Sequence, residues 1–211
     1  MHVSELWRYP VKSLKGTRLE QAEITPLGIP GDREIIIRSQ SGRLFTSRSK
    51  PKLLGLRGEL DTSGRATING HPWDSPEAVD LVSAAVGEPA RLEHVPHPLG
   101  FDILPLLIAT DGAVKAINID QRRLRPNIFV SGVTGLEERN WVGDVIAIGN
   151  VRIKAVKLRE RCVMTTYDPD TQVQDSSVLL RIVREFDGVA ALDCSVIEPG
   201  IIHVGDNVTL M

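Results

Sequence analysis

The sequence predicts an α+β fold in which β-structure predominates, and three observations carry that expectation. Most of the chain falls into short runs of alternating apolar and polar residues, each bounded by Gly, Pro or Asp. Three segments show the start and stop signals of helices. The links between runs are mostly of hairpin length, which argues against a βαβ sandwich and for barrel-like closure that hides strand edges.

Taken in order, "VSELWRY" reads as a strand ended by Pro10. "RLEQAEITPLG" reads as one imperfect strand through Leu19, Ala22 and Ile24, and "EIIIRSQSGRLFTSR" as two strands about a Ser-Gly turn. "RATINGHPW" continues the pattern. Ser75 then caps a helix with Pro76 at its first position and Gly87 at its end. Thr110 caps a second helix, "DGAVKAIN", and Asn127 precedes a buried strand. "DVIAIGNVRIKAVKL" is a hairpin turning at Gly149-Asn150. Ser176 or Ser177 caps a third helix, "VLLRIVREF", which Gly188 closes. "EHVPHPLGFDILP", residues 93–105, holds three prolines and a glycine and is the expected seam between units of residues 1–95 and 96–211.

Bulk properties exclude several classes. A net charge of -2 gives no electrostatic basis for nonspecific nucleic-acid binding. No apolar stretch approaches the roughly 20 residues that span a bilayer. Two cysteines and no signal peptide suit a reduced, cytoplasmic protein. Of the 25 basic residues 18 are arginines, whose planar fork suits phosphates and carboxylates, although a codon bias explains the excess equally well.

Four segments hold candidate chemistry. In "YPVKSLKG", Lys12 and Ser13 offer an ammonium and a hydroxyl to a phosphate without forming a Walker loop. A solvated strand end explains the segment as well. "GIPGDRE" sets Asp32 beside Arg33, which either orients the guanidinium toward an anion or forms a surface pair of little energy. In "RRLRPNIFVSG", Pro126 biases Arg125 away from helix, so that its side chain projects from a strand entry, and Asn127 suits a heterocycle edge. A solvated basic turn is the alternative. In "RERCVMTTYDPDT", Arg161 favours a thiolate at Cys162. The five histidines (His2, His71, His94, His97 and His203) show no pairing signature for a nucleophile, and zinc-ligand spacing is missing. A lone thiolate still suits a soft or high-valent metal with other ligands from a cofactor, and a buried structural cysteine remains open. Cys194, in the apolar "AALDCSVI", reads as a small core hydrophobe.

In order as well as content, "LWRYPVKSLKG", "GDR", "FTSRSKPKL", "LRPNIFV", "NWVGDVIAIG" and "RCVMTTYDPDT" resemble the MOSC proteins, nearest in pattern to the amidoxime-reducing components and their bacterial counterparts. The resemblance implies a smaller β-barrel amino-terminal module followed by a β-barrel MOSC domain. It implies a molybdenum cofactor, a pterin dithiolene with a phosphate tail, whose metal takes Cys162 as its one protein ligand and catalytic residue. Lys12, Ser13 and Arg33 would hold the phosphate end, Arg125 and Asn127 the pterin, with Thr110, Arg161 and Thr165 as further cofactor-binding candidates. The implied activity is reduction of N-oxygenated compounds with electrons from a separate reductase or carrier protein. The alternative is a carrier of the cofactor or of a persulfide on Cys162. Pyridoxal phosphate enters by family association with the sulfurases, and no lysine motif here supports it. Gln172 departs from the pattern, standing where relatives have glycine after "DPDT".

Overall fold

A computed structural model describes residues 1–96 and 100–211. Part of the expected seam, including His97, lies outside the described residues. The strands are β1 (His2–Arg8), β2 (Thr17–Leu19), β3 (Gln21–Ile24), β4 (Ile35–Ser39), β5 (Leu44–Phe45), β6 (Gly58–Leu60), β7 (Ala66–Ile68), β8 (His71–Pro72) and β9 (Ala90–His94), with helix α1 (Pro76–Val86) before the last. The chain continues through β10 (Leu106–Thr110), α2 (Asp111–Ile117), β11 (Ile128–Ser131), β12 (Val145–Ile148), β13 (Val151–Glu160), α3 (Ser176–Glu185), β14 (Val189–Glu198), β15 (Gly200–His203) and β16 (Val208–Leu210). Strands thus predominate, as expected of the α+β class.

Local signals explain most boundaries. The Ser75 hydroxyl accepts from the Ala78 amide, Pro76 opens α1, and Gly87 ends it at φ +77°. Thr110 caps α2 in the same way, through the Ala113 amide. The cap of α3 is Asp175 rather than either serine. Its amide is tied to the Thr166 carbonyl at 2.8 Å, which holds it extended, and its carboxylate takes both the amide and the hydroxyl of Ser177. The expected single strand over residues 18–28 is two, β2 and β3. They part at Glu20, whose carbonyl accepts from the Val204 amide at 2.9 Å, and they join different sheets.

Among the described residues the largest sheet runs β16-β12-β13-β14-β10-β11-β1-β2. Its one parallel pair sets β10 beside β11, and β1 lies antiparallel on the far side of β11 with Leu6 opposite Ile128. His2 bridges Asn207, and the Val208 amide donates to the Met1 carbonyl, so the sheet curls until β1 meets the residues before β16. Along β10 the period of two divides the side chains: Leu106 and Ile108 enter the core with Val3, Leu6, Ile24, Ile153 and Leu192. Leu107 and Ala109 pack instead with Ile117, Val178 and Ile182 of α2 and α3. A separate core holds Val11, Leu14, Ile35, Ile37, Phe45, Ile68 and Val82. The chain therefore crosses between cores at residues 7–10, 15–18 and 30–34, and returns beyond β9. Among the described residues no helix is long and apolar enough to cross a membrane.

β1 contributes Val3 and Leu6, both 0% exposed, to the core of the large sheet. At about 1.5–3 kcal/mol for each buried side chain, their loss removes a large share of the roughly 5–15 kcal/mol that stabilises an ordinary domain. A fragment of residues 96–211 should therefore aggregate or remain unfolded. Adding residues 1–30 in trans should recover soluble, folded protein, as followed by gel filtration and circular dichroism.

Candidate functional site

The crossings converge on one cleft of about 770 Å³, open to solvent. Seven of the nine predicted site residues line it: Lys12, Ser13, Arg33, Arg125, Asn127, Arg161 and Cys162. Cys162 lies just past the end of β13, where the last ladder bond runs from the Arg161 amide to the Gly188 carbonyl. It is a free, partly exposed thiol on an extended residue that opens the 3₁₀ turn Val163–Thr166. Thr165 builds that turn and is not part of the lining. Its amide and hydroxyl both donate to the Cys162 carbonyl, at 3.0 and 2.7 Å. Thr110 also stands apart. Besides capping α2, its hydroxyl donates to Glu138 at 3.2 Å, and burial pushes that carboxyl's pKa up.

Behind the lining sits a buried polar knot centred on Asp32, which is 0% exposed. One carboxylate oxygen accepts from the Tyr9 amide at 2.6 Å; the other takes the Arg33 guanidinium and the Asn127 side-chain amide, the latter at 3.1 Å. Asn127 also donates to the Trp7 carbonyl and accepts from the Leu107 amide and Arg33. With both donors and its acceptor oxygen occupied by protein, Asn127 fixes the wall rather than offering free hydrogen bonds to a heterocycle. Arg33 is held from several sides: by Asp32 and Asn127, by the Arg125 carbonyl at 3.4 Å, and against the Tyr9 ring at 4.9 Å.

Three of the eight non-glycine residues with left-handed φ among the described residues stand on this lining. Ser13, Arg33 and Arg125 all have left-handed φ, of 75°, 57° and 57°. Each such residue costs about 1–3 kcal/mol, which the surrounding bonds must over-determine. For Arg125 this departs from the extended conformation expected before Pro126. Its amide is tied to the Arg122 carbonyl, its carbonyl to Arg33, and its guanidinium stacks on Tyr9 at 4.3 Å, so tertiary contacts override the local preference.

The cleft is strongly cationic. Seven basic side chains line it against two carboxylates, Asp102 and Glu160. Lys12 donates to Asp102 at 2.6 Å; burial works against that carboxylate's charge, yet the ammonium holds it below the ordinary range. Arg159 pairs with the buried Asp193 at 2.5 Å. Arg161 donates to the Leu124 carbonyl, and neither it nor Arg125 has a carboxylate within ion-pair distance among the described residues. Burial, reinforced by Arg159, lowers the pKa of Arg161 to about 10, and burial lowers that of Arg125 to about 10 as well. The Nε atoms of Arg159 and Arg161 are buried without an acceptor. Arg48, Arg123 and Arg159 join the lining from positions that sequence reading left unassigned. Each stands within a segment singled out from the sequence, and only folding brings them to one place. Among the described residues no group of three or more His, Cys, Asp or Glu could hold a metal by itself. The donor set is one thiol in a cationic wall, which suits a metal carried by an anionic cofactor.

Beyond the turn, Asp168 accepts from the amides of Asp170 and Thr171, and Arg122 grips Asp170 with two bonds of 3.0 and 2.8 Å. Gln172 closes this strap at φ +58°, a conformation in which a glycine would be unstrained.

Two outcomes follow from this geometry. Arg161→Met should raise the stability of the ligand-free protein by about 1 kcal/mol in urea titrations, because it removes a desolvated charge lacking a counter-ion. The same variant should lose much of the thermal stabilisation that added pyrophosphate gives the wild type. Gln172→Gly should leave stability unchanged or raise it by up to about 1 kcal/mol in urea titrations, since relief of the left-handed strain offsets the entropy of glycine.

Comparisons with known proteins agree in order along the chain. A family model described as the MOSC N-terminal beta barrel domain matches residues 1–86, and one described as the MOSC domain matches residues 107–209. The chain is 28% identical over 242 aligned positions to mitochondrial amidoxime-reducing component 1 of Homo sapiens, covering 87% of this chain and 71% of that protein. It is 29% identical over 245 positions to the human component 2, covering 87% and 72%. Among solved structures, the YuaD protein of Bacillus subtilis superposes with a TM-score of 0.54 at 14% identity, covering 99% of this chain and 94% of that one, which shows a shared fold.

Proposed function

Because the chain belongs to the MOSC family, with both its amino-terminal and its MOSC domains, we propose that it holds a molybdenum cofactor on Cys162 and reduces N-oxygenated compounds. The observation that carries this reading is the excess of seven basic side chains over two carboxylates around one free thiol. The resemblance to proteins named as amidoxime-reducing components supports the reaction class. The cofactor, when bound, supplies two-electron removal of an oxygen atom at molybdenum. The protein's part is to hold, orient and neutralise it.

Lys12 and Ser13, between the first two crossings, and Arg33, on the third, would take the phosphate end. Arg33 is held in a strained backbone by the Asp32 knot, so the anion meets a group that needs little reorganisation. Arg125 would face the pterin, while Asn127 keeps Arg33 in place. Arg161 and Arg159 would offer positive charge to the anionic cofactor beside Cys162, and Thr165 would fix the turn that aims the thiolate. Thr110 would act at a distance, by anchoring α2 and β10. The same reading divides the chain near residue 95, between a unit that supplies Lys12, Ser13 and Arg33 and one that supplies Arg125, Asn127, Arg161 and Cys162.

Reduction of an N-hydroxylated substrate consumes two electrons and two protons and releases the amine or amidine and water. The electrons would come from a separate donor protein. A reducing compartment such as the cytoplasm suits a site that depends on a free thiol. The second reading, a persulfide carrier, draws on the partial exposure of Cys162; the other cysteine, Cys194, is 0% exposed in the core.

Protein from a cofactor-competent host should contain close to one molybdenum and one pterin per chain, and Cys162→Ser should lose the molybdenum. The loaded wild type should reduce benzamidoxime when given a chemical or protein electron donor. Absence of molybdenum and pterin from both preparations would overturn the reading. Transferable sulfane sulfur on Cys162 without any reduction would establish the carrier instead.

A further inference from the structure

A second cleft, of about 650 Å³, adjoins the first and shares Arg123, Arg125 and Met164 with it. Apart from these shared walls, the cofactor site described above does not use it. Its lining is unlike that of the Cys162 cleft. Trp7, Tyr9 and Tyr167 contribute rings, with Leu54 and Pro169 as further apolar walls. The Tyr9 ring already carries Arg125 at 4.3 Å and Arg33 at 4.9 Å. Trp7 and Tyr167 are only partly buried, so ring surface remains for a ligand. Flat, partly covered rings in a concave site favour stacking against another planar group.

The charges of this cleft are also unbalanced, with five basic side chains against the single carboxylate of Asp170. Internal pairing leaves Lys15 and Arg57 weakly engaged, and Arg57 is the more exposed of the two. Arg122 is held by Asp120 and Asp170, Lys15 lies 3.8 Å from Asp170, and Arg123 is held by Asp168. Arg125 is stacked on Tyr9. Arg57 remains, its side chain 57% exposed and its contact with Glu59 a loose 3.4 Å. An exposed guanidinium beside aromatic walls is suited to a carboxylate carried on a planar ring.

We propose that the second cleft binds the ring-and-anion portion of the substrate, a planar aryl compound bearing a carboxylate. The N-oxygenated end of such a compound is directed past Met164 toward Cys162. The placement of the reducible end rests on the reductase reading above, whereas recognition of the ring and its anion does not. Trp7 and Tyr167 supply the stacking surface, and Arg57 selects for the anion.

The test uses 4-carbamoylbenzoate, an aryl carboxylate with no N-bound oxygen to lose, and its uncharged analogue terephthalamide, titrated calorimetrically into the 211-residue chain. The wild type should bind the carboxylate about tenfold more tightly than terephthalamide. Arg57→Gln should bring that ratio close to one; Arg57 is a surface side chain, so the variant should fold. Tyr167→Leu should weaken both probes, and Cys162→Ser should bind both as the wild type does. No measurable binding would overturn the proposal, as would binding that Arg57→Gln and Tyr167→Leu leave intact. Binding with this pattern in a protein that, once loaded, reduces no N-oxygenated compound would uphold the ring-and-anion site and overturn the reductase reading alone.

Discussion

The buried carboxylate of Asp32 is the constraint on which the rest of the site depends. It has no contact with solvent, and its two oxygens accept from three separate stretches of chain: the Tyr9 amide after β1, the neighbouring Arg33, and Asn127 before β11. A charge in that position is tolerable only when its lone pairs are occupied and a cation lies against it. Meeting those conditions pins together the crossings at residues 7–10 and 30–34 and the loop before β11, and the cleft opens beside them. Arg33, held by this knot, and Arg125, held by the Arg122 carbonyl, by Arg33 and by the Tyr9 ring, both take left-handed conformations.

The cleft runs on the opposite principle. Where Asp32 is satisfied, Arg125 and Arg161 are desolvated without a carboxylate partner, and Arg159 and Arg161 keep buried Nε–H groups with no acceptor. Such an arrangement works against the stability of the protein. The lone thiol of Cys162 is framed by the same wall. Its surroundings are cationic, and among the described residues no histidine joins the lining as a base.

Much of the fold was legible in the residues because the signals are local. Ser75-Pro76 and Gly87 bound α1, Thr110 caps α2, and Gly149-Asn150 turns β12 into β13. Where reading failed, several local solutions were of similar energy and tertiary contacts chose among them. Asp175 and two serines could each cap α3, and the tie of Asp175 to Thr166 decided it. Residues 18–28 could be one strand until Glu20 bonded to Val204 and sent β2 and β3 to different sheets. At the site, seven of the nine candidate residues share one cleft. Thr165 and Thr110 carry the expected hydroxyl chemistry but spend it on backbone and Glu138. Arg48, Arg123 and Arg159 lie within the recognised segments, but nothing local showed that their side chains would turn into the cleft.

By itself, the sequence determined the β-rich class, the element types where caps and turns are unambiguous, and the ordered motifs that carry the family and its one thiol. These depend on neighbours within a few residues, or on a motif order that needs no coordinates. Only the tertiary structure decided that β1 completes the sheet of the carboxy-terminal half, that Asp32 and Asn127 form one knot, and which arginines lack counter-ions. The physical reason is separation along the chain. Asp32 and Asn127 lie 95 residues apart, and whether a charge is buried, paired or orphaned depends on groups that folding alone brings within hydrogen-bond distance.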